Sequence, residues 1–353
     1  MEFSYLPDPE PYRKCLTLAR LGEPFVLATI IEAEGSTPQV AGSSAIVTAA
    51  GLAGGTVGGG RVEAETVAAA QTALKRGRSK LLSFDLANDY SDEADAVCGG
   101  RMRILIDAAP SAHRAAFESL LSTVSRRGRG MLATFIEGKT SGVERRWFAA
   151  SARSGFPGDI PWIRYPDEIG AGMAALKPIV FRKAEDRLYL EPHFPAARLA
   201  IAGAGHVGRA VARQGKLLGF ETIVIDDRPE LANGDRIPEA DRFIVGDIAS
   251  SLTRLPLGRE AFIVLVTRGH RHDAEALRAC IRRRSAYLGM IGSGRKIALM
   301  RDDFMAKGWA TPAQWARVHA PIGLPIGSKT VEEIAVSIAA ELVAVRRGII
   351  HVK

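Results

Sequence analysis

Leu199-Ala-Ile-Ala-Gly203-Ala-Gly205-His206-Val-Gly208 is the stretch whose reading decides the fold. Four apolar or small residues run into a G-x-G-x-x-G turn, and the residues after it take up helical spacing. Alone, such a glycine pattern is weak. Here it follows an expected strand, opens an expected helix and precedes Asp226 at the end of the next apolar run, Glu221 to Ile225. That setting is the one a dinucleotide-binding turn requires. Gly203 permits the tight turn, Gly205 lets the backbone approach a phosphate, and Gly208 lets the helix pack on the strand. The free N–H groups of the helix start then face an anion. A turn that merely packs the fold and holds nothing is the alternative reading.

Around this turn lie four more short apolar runs: Glu221 to Ile225, Arg242 to Val245, Ala261 to Val266 and Ala286 to Met290. Helical segments separate most of them, which predicts a parallel sheet with helices on both faces. Thr330-Val-Glu-Glu333 is a capping box opening a last helix that turns Ile334, Ile338 and Leu342 inward. The expected fold class is therefore α/β, a C-terminal Rossmann-like domain over 196–353 preceded by an α+β domain over 1–195. In the N-terminal part, Asp8-Pro9 opens a helix that Gly22 closes. Phe25 to Ala33, Ser43 to Thr48, Leu81 to Phe84 and Met102 to Ile106 read as strands; Arg61 to Lys75 and His113 to Ser125 read as helices. Residues 145–195, broken by six prolines, read as a poorly periodic connection.

The 353 residues carry a net charge of +8 and three cysteines, Cys15, Cys98 and Cys280. The apolar fraction excludes a disordered chain, and no apolar run approaches the roughly 20 residues of a membrane span. Scattered cysteines and an N-terminus without a signal-peptide core predict a cytoplasmic protein. Basic residues are dispersed, so a small anionic ligand is favoured over nucleic acid, and no membrane partner is expected.

Candidate ligand contacts gather in a few loops. Asp226-Asp-Arg228 offers a carboxylate for a ribose or diol hydroxyl and an arginine for a phosphate; a capping pair in a solvated loop fits equally. Thr267-Arg268-Gly-His270-Arg-His-Asp273 and Gly292-Ser293-Gly-Arg-Lys296 should emerge at the same sheet edge. His270 and His272 lack a third ligand at a metal-site spacing. In the N-terminal half, six glycines between Gly51 and Gly60 are too many for an ordinary element. Gly58, Gly59 and Gly60 lead into Arg61 and Glu63, a turn able to enclose an anion. Cys98-Gly-Gly100 stands in a loop where the glycines admit a bulky ligand to the sulfur, a soft donor for a soft metal or a persulfide. Cys15 and Cys280 fall on helical faces and read as core.

Taken together, these blocks resemble the xanthine dehydrogenase accessory proteins, the XdhC/CoxI family. Gly35-Ser-Thr-Pro38, Gly55-Thr-Val-Gly-Gly-Gly60 with Glu63, and Cys98-Gly-Gly100 are similar to its N-terminal signature. Gly203 to Gly208, Asp226-Asp-Arg228, Thr267-Arg-Gly-His270, Tyr287 to Ser293, Pro321 to Gly327 and Glu333 to Ile338 are similar to its C-terminal domain. The chain departs from the family pattern at Gln39, where an arginine is usual, and at Gly42-Ser-Ser44. The resemblance implies a molybdenum cofactor (molybdopterin) chaperone rather than a metabolic enzyme. Its partners would be a cysteine desulfurase and an apo molybdenum hydroxylase of the xanthine dehydrogenase type. Cys98 would contact the molybdenum or its sulfur. The rival reading is an NAD(P)-dependent oxidoreductase with a nucleotide in the Rossmann crevice. A homodimer is compatible with either.

Overall fold

The computed structural model describes residues 8–86, 99–138, 142–150 and 162–349. The chain divides into two compact units, one from Tyr5 to Pro195 and the other from Ala196 onward.

The first unit runs α1 (Glu10–Leu21), β1 (Phe25–Glu34), β2 (Ser44–Thr48), β3 (Gly51–Gly55), α2 (Gly60–Arg76), β4 (Lys80–Asp85) and β5 (Arg101–Asp107). It continues with α3 (Arg114–Ser125), β6 (Gly130–Glu137), β7 (Gly142–Ala149), α4 (Pro166–Ala174), β8 (Ile179–Lys183) and β9 (Asp186–His193). One antiparallel sheet has the order β3-β2-β1-β5-β4, and a second has the order β7-β6-β9-β8. Val26, Ala28 and Ile30 on β1 alternate toward α2, where Val62, Ala70 and Ala73 close the core. Leu27 and Phe25 point the other way, into a cluster with Tyr12 and Cys15 of α1 and Phe117 and Leu120 of α3. This period-two division is why one sheet can bury both faces. Ile31 and Leu105 meet Ile136 and Tyr189 of the second sheet in a smaller apolar cluster.

Two sequence expectations change here. Residues 145–195 are no mere connection: most of β7, and all of β8 and β9, lie there; β7 and β9 flank β6, a strand the periodicity also missed, and β8 pairs with β9. Their local pattern is polar because its compensation is distant. Arg145 on β7 is buried and bonds Asp107 on β5 at 2.6 Å. Glu191 on β9 is buried and accepts from Tyr12 of α1 at 2.7 Å. Likewise, the glycine run is partly ordinary structure, since Gly51–Gly55 forms the edge strand β3 against β2. An edge strand needs only one bonded side, so its missing side chains cost little packing.

The second unit contains β10 (Arg198–Ala202), α5 (His206–Leu217), β11 (Glu221–Asp226), β12 (Arg242–Val245), α6 (Ile248–Arg254), β13 (Phe262–Leu265) and α7 (Gly269–Cys280). After these come β14 (Tyr287–Met290), α8 (Gly294–Ala306), α9 (Pro312–Trp315) and α10 (Val331–Arg346). All five strands are parallel, in the order β12-β11-β10-β13-β14. This is the doubly wound sheet expected from the alternation, with the order reversing between β10 and β13. One face of the sheet packs against α6, α7 and α8 through Leu252, Leu277 and Met300. The other packs against α5 and α10 through Val211, Ile338 and Leu342. Thr330 and Glu333 make the reciprocal capping bonds that start α10. Among the described residues, no helix is long and apolar enough to cross a membrane.

Candidate functional site

In the first unit, three loops that are far apart in sequence converge. A side-chain carbon on Gly100 would fall 2.4 Å from the Ser36 carbonyl oxygen, so this backbone lies directly on the Gly35-Ser-Thr-Pro38 turn. One on Gly58 would fall 2.5 Å from Pro38 Cβ, and Gly58 has φ +125. Only glycine accepts both the conformation and the contact. By contrast, Gly59, Gly60 and Gly99 face open space. The result is a glycine-lined corner with backbone exposed on its outer side.

The charges at this corner are not those of an anion cradle. Glu63, in the first turn of α2, folds back to accept from Thr56 Oγ1 at 2.6 Å and from the Val57 amide at 3.1 Å. Its carboxylate thus occupies the positive end of the helix that a bound phosphate would need. Arg61 pairs with Glu65 at 2.6 Å, one turn further on, and not with Glu63. The sequence expectation of an anion enclosed by Gly58, Gly59, Gly60 and Arg61 therefore meets an acid already in place.

In the second unit, the Gly203 to Gly208 turn lies between β10 and β13. A side-chain carbon on Gly203 would meet the Val266 carbonyl oxygen at 2.4 Å, and one on Gly208 would meet the Gly203 carbonyl oxygen at 1.8 Å. Gly205 is the N-cap of α5 and faces open space, with His206 exposed beside it. The first turn of α5 carries no acid.

Asp226 closes the crevice from β11, but not as a free acceptor. It is 1% exposed. Its Oδ2 takes hydrogen bonds from the Ala204 amide at 2.7 Å and Arg228 Nη2 at 2.9 Å; its Oδ1 takes Arg228 Nε at 2.8 Å and the Arg228 amide at 3.0 Å. Burial alone would raise this carboxyl, yet the Arg228 guanidinium and the two amides outweigh it and hold the group at about 2. Arg228 and Asp226, expected to serve phosphate and diol separately, instead serve each other. Arg268 pairs with Asp227 at 3.0 Å on the same edge.

Next to these lies an arrangement that spacing alone did not disclose. Asp273, buried in the first half of α7, accepts from Thr267 Oγ1 at 2.5 Å and from Lys296 Nζ of α8. It ties two helix starts together. Ser293 caps α8, accepting from the Lys296 amide at 3.3 Å, so its hydroxyl has a structural partner. His270 is the second residue of α7, and its side chain lies outside the described ones. Cys98 also lies outside the described residues. Cys15 and Cys280 are buried, and burial pushes both thiols up to about 12. Neither is a thiolate donor at neutral pH. Among the described residues, no group of His, Cys, Asp and Glu is placed to hold a metal ion.

Comparison with known proteins adds the following. A family model for the XdhC Rossmann domain matches residues 199–342, and one for the XdhC and CoxI family matches residues 18–85. The chain is 25% identical over 329 residues to a probable xanthine dehydrogenase subunit of Bacillus subtilis, covering 93% of this chain and 94% of that one. It is 26% identical over 326 residues to the uncharacterized protein YqeB of Escherichia coli K12. That match takes in 92% of this chain but spans only 44% of YqeB. A crystal structure of a xanthine dehydrogenase from Bacillus halodurans shares the fold, with a TM-score of 0.75 and 24% identity over 97% of this chain and 96% of that chain.

Proposed function

The chain belongs to the XdhC and CoxI family, and on that premise we propose that it is a carrier of the molybdenum cofactor. It shelters the cofactor while a cysteine desulfurase supplies the terminal sulfur, and hands it to an apo molybdenum hydroxylase of the xanthine dehydrogenase type. The cofactor is cargo, neither made nor consumed, and the exchange takes place in the cytoplasm.

The observation that carries this reading is the glycine-lined corner of the first unit. Gly59, Gly60 and Gly99 leave backbone open to a bulky guest, and Gly99 follows Cys98 directly in the chain. Cys15 and Cys280 are held as buried, protonated thiols in cores, which leaves Cys98 as the remaining sulfur of the three. A thiolate is a soft donor suited to molybdenum or its sulfido sulfur. The acid at the start of α2 suits the metal end of the cargo better than its phosphate. Bonded as it is to Arg228 and Ala204, Asp226 weakens the oxidoreductase alternative, because it has no oxygen left for a ribose hydroxyl.

The test is retention. Purified protein mixed with the cofactor should carry molybdenum through gel filtration, and Cys98→Ala should retain about tenfold less. Equal retention by wild type and Cys98→Ala overturns the reading. Tight binding of NAD or NADP with hydride transfer to any acceptor would support the rival instead.

A further inference from the structure

In the second unit, α10 lacks the outer face that a surface helix ordinarily has. Its mid-helix polar residues turn inward. Ser337 and Glu341 are 3% and 7% exposed; Ser337 donates to the Leu324 carbonyl at 2.6 Å, and Glu341 accepts from the Gly323 amide at 2.8 Å. Ala335, Ile338 and Leu342 fill the core beside them. What is left for the outer side is apolar: Val336 is 48% exposed, and Ala340 and Val343 are half-buried. Exposed Glu332 and the exposed C-cap residue Arg347 stand one turn beyond them at either end. Spacings of four, four, three and four residues hold these five side chains in one strip about 80° wide. A surface helix carries polar residues opposite its core stripe, whereas a helix that is apolar on both sides is one covered on both.

The symmetry of the strip says what covers it. Glu332 lies as far before the Ala339–Ala340 peptide as Arg347 lies after it, and Val336 as far before it as Val343 lies after. The charges at the two ends are opposite. A second α10 laid antiparallel across a twofold axis therefore sets Glu332 against Arg347 of the partner subunit and Val336 against Val343 of the partner subunit, with Ala340 near the axis. Parallel copies would set like charges against each other, which is costly. Alanine at the centre has no bulk to hold the helices apart, so their axes can approach to about 8 Å, the short end of helix packing distances. The acid at each helix start and the base at each helix end also suit the helix dipole, and an antiparallel pair brings opposite poles together. With 16 residues, α10 is about 24 Å long. Two such faces make a contact smaller than that of a permanent dimer, so the association is modest, of order micromolar.

We propose that the outer face of α10 is a self-association surface, pairing two copies of this chain antiparallel through Val336, Ala340 and Val343, with a Glu332–Arg347 ion pair at each end. The pairing is independent of the carrier reading above. Sedimentation velocity on the full chain, from about 1 to 200 µM, tests it, a dimer having twice the monomer mass of 37.8 kDa. Val336→Asp, Glu332→Lys, Arg347→Glu and the double variant E332K/R347E all replace exposed side chains, and circular dichroism checks their folding. Wild type should dimerise as its concentration rises. Val336→Asp places a carboxylate in the apolar seam and should weaken the dimer about a hundredfold. Each single charge reversal should weaken it about tenfold, and the double variant should recover most of that loss, because both ion pairs return with their signs exchanged. A wild type that stays monomeric to the highest concentration overturns the proposal. So does a dimer that Val336→Asp leaves intact, or a double variant that associates no more tightly than the single ones.

Discussion

The two glycine turns, Gly55 to Gly60 and Gly203 to Gly208, share a plan and differ in charge. Each leads a strand into a helix whose N-cap is a glycine with no side-chain bond. Each also relies on a glycine at a contact no side chain could occupy, Pro38 on Gly58 and the Gly203 carbonyl on Gly208. In the first turn, the nearest carboxylate, Glu63, bonds the loop and is not paired with Arg61. In the second, Asp226 bonds the loop and is neutralised by Arg228. Glycines therefore mark where a helix starts close to its strand. What such a start attracts is set by the neighbouring acids and bases, and by that measure only the second turn is prepared for an anion.

The largest expected effect tests the shared plan. Gly208→Ala should destabilise the second unit by about 3 kcal/mol, because the added carbon meets backbone, which cannot rotate away. Gly205→Ala, three residues earlier and in open space, should cost only the loss of a favoured N-cap residue, about 1 kcal/mol or less. Urea unfolding followed by tryptophan fluorescence compares them. Equal midpoints would show that Gly208 is not a packing requirement.

The next effect tests the neutralised acid. With its folded-state carboxyl held at about 2, below the ordinary carboxylate value, Asp226 contributes stability that is present above roughly pH 4. That contribution is lost as pH falls through the folded value, and amounts to about 2 kcal/mol. Asp226→Asn should accordingly be less stable than wild type by about that much at pH 7, with the gap closing toward pH 2. A gap that is constant from pH 7 to pH 2 would mean that Asp226 is not the group that titrates.

How far all this could be read from the sequence depends on where each residue's partner lies. The parallel sheet was legible because strands buried on both faces must be apolar throughout, as Leu199 to Ala202 and Phe262 to Leu265 are. The second sheet of the first unit was not. β7 carries Glu144, Arg145 and Arg146 in its middle, and the reason Arg145 can be buried is Asp107, 38 residues away. β9 likewise includes Glu191 and His193, which pair with each other and with Tyr12. Local periodicity registers such residues as loop. The position of Asp226 was legible, and so was the Asp-x-Arg spacing, but only the backbone turn at residue 227 sends Arg228 back onto the carboxylate. The facing charges of β1 and β5 left a trace in the alternation Glu32-Ala-Glu34 and Arg101-Met-Arg103, which signals two strands with charge on one face. The β-bulge at Ile31 that sets Glu32 opposite Arg103 is not visible in either stretch.

The smallest effect probes the un-neutralised acid, and it is the sharpest for the comparison. Glu63→Gln keeps the shape of the side chain and one acceptor oxygen, enough for both Thr56 and Val57 because both donate to a single oxygen of Glu63, so its cost should be about 1 kcal/mol or less. What it removes is the negative charge in the first turn of α2. The helix end then resembles that of α5, free of acid and facing exposed glycine amides. Sulfate should therefore raise the melting temperature of Glu63→Gln more than that of wild type, and the difference should shrink when sodium chloride screens the site. Arg228→Ala provides the mirror test at the second turn: it exposes the Asp226 charge, so its response to sulfate should fall below wild type. If sulfate shifts all three proteins alike, the charges beside the glycines do not govern what the two turns attract.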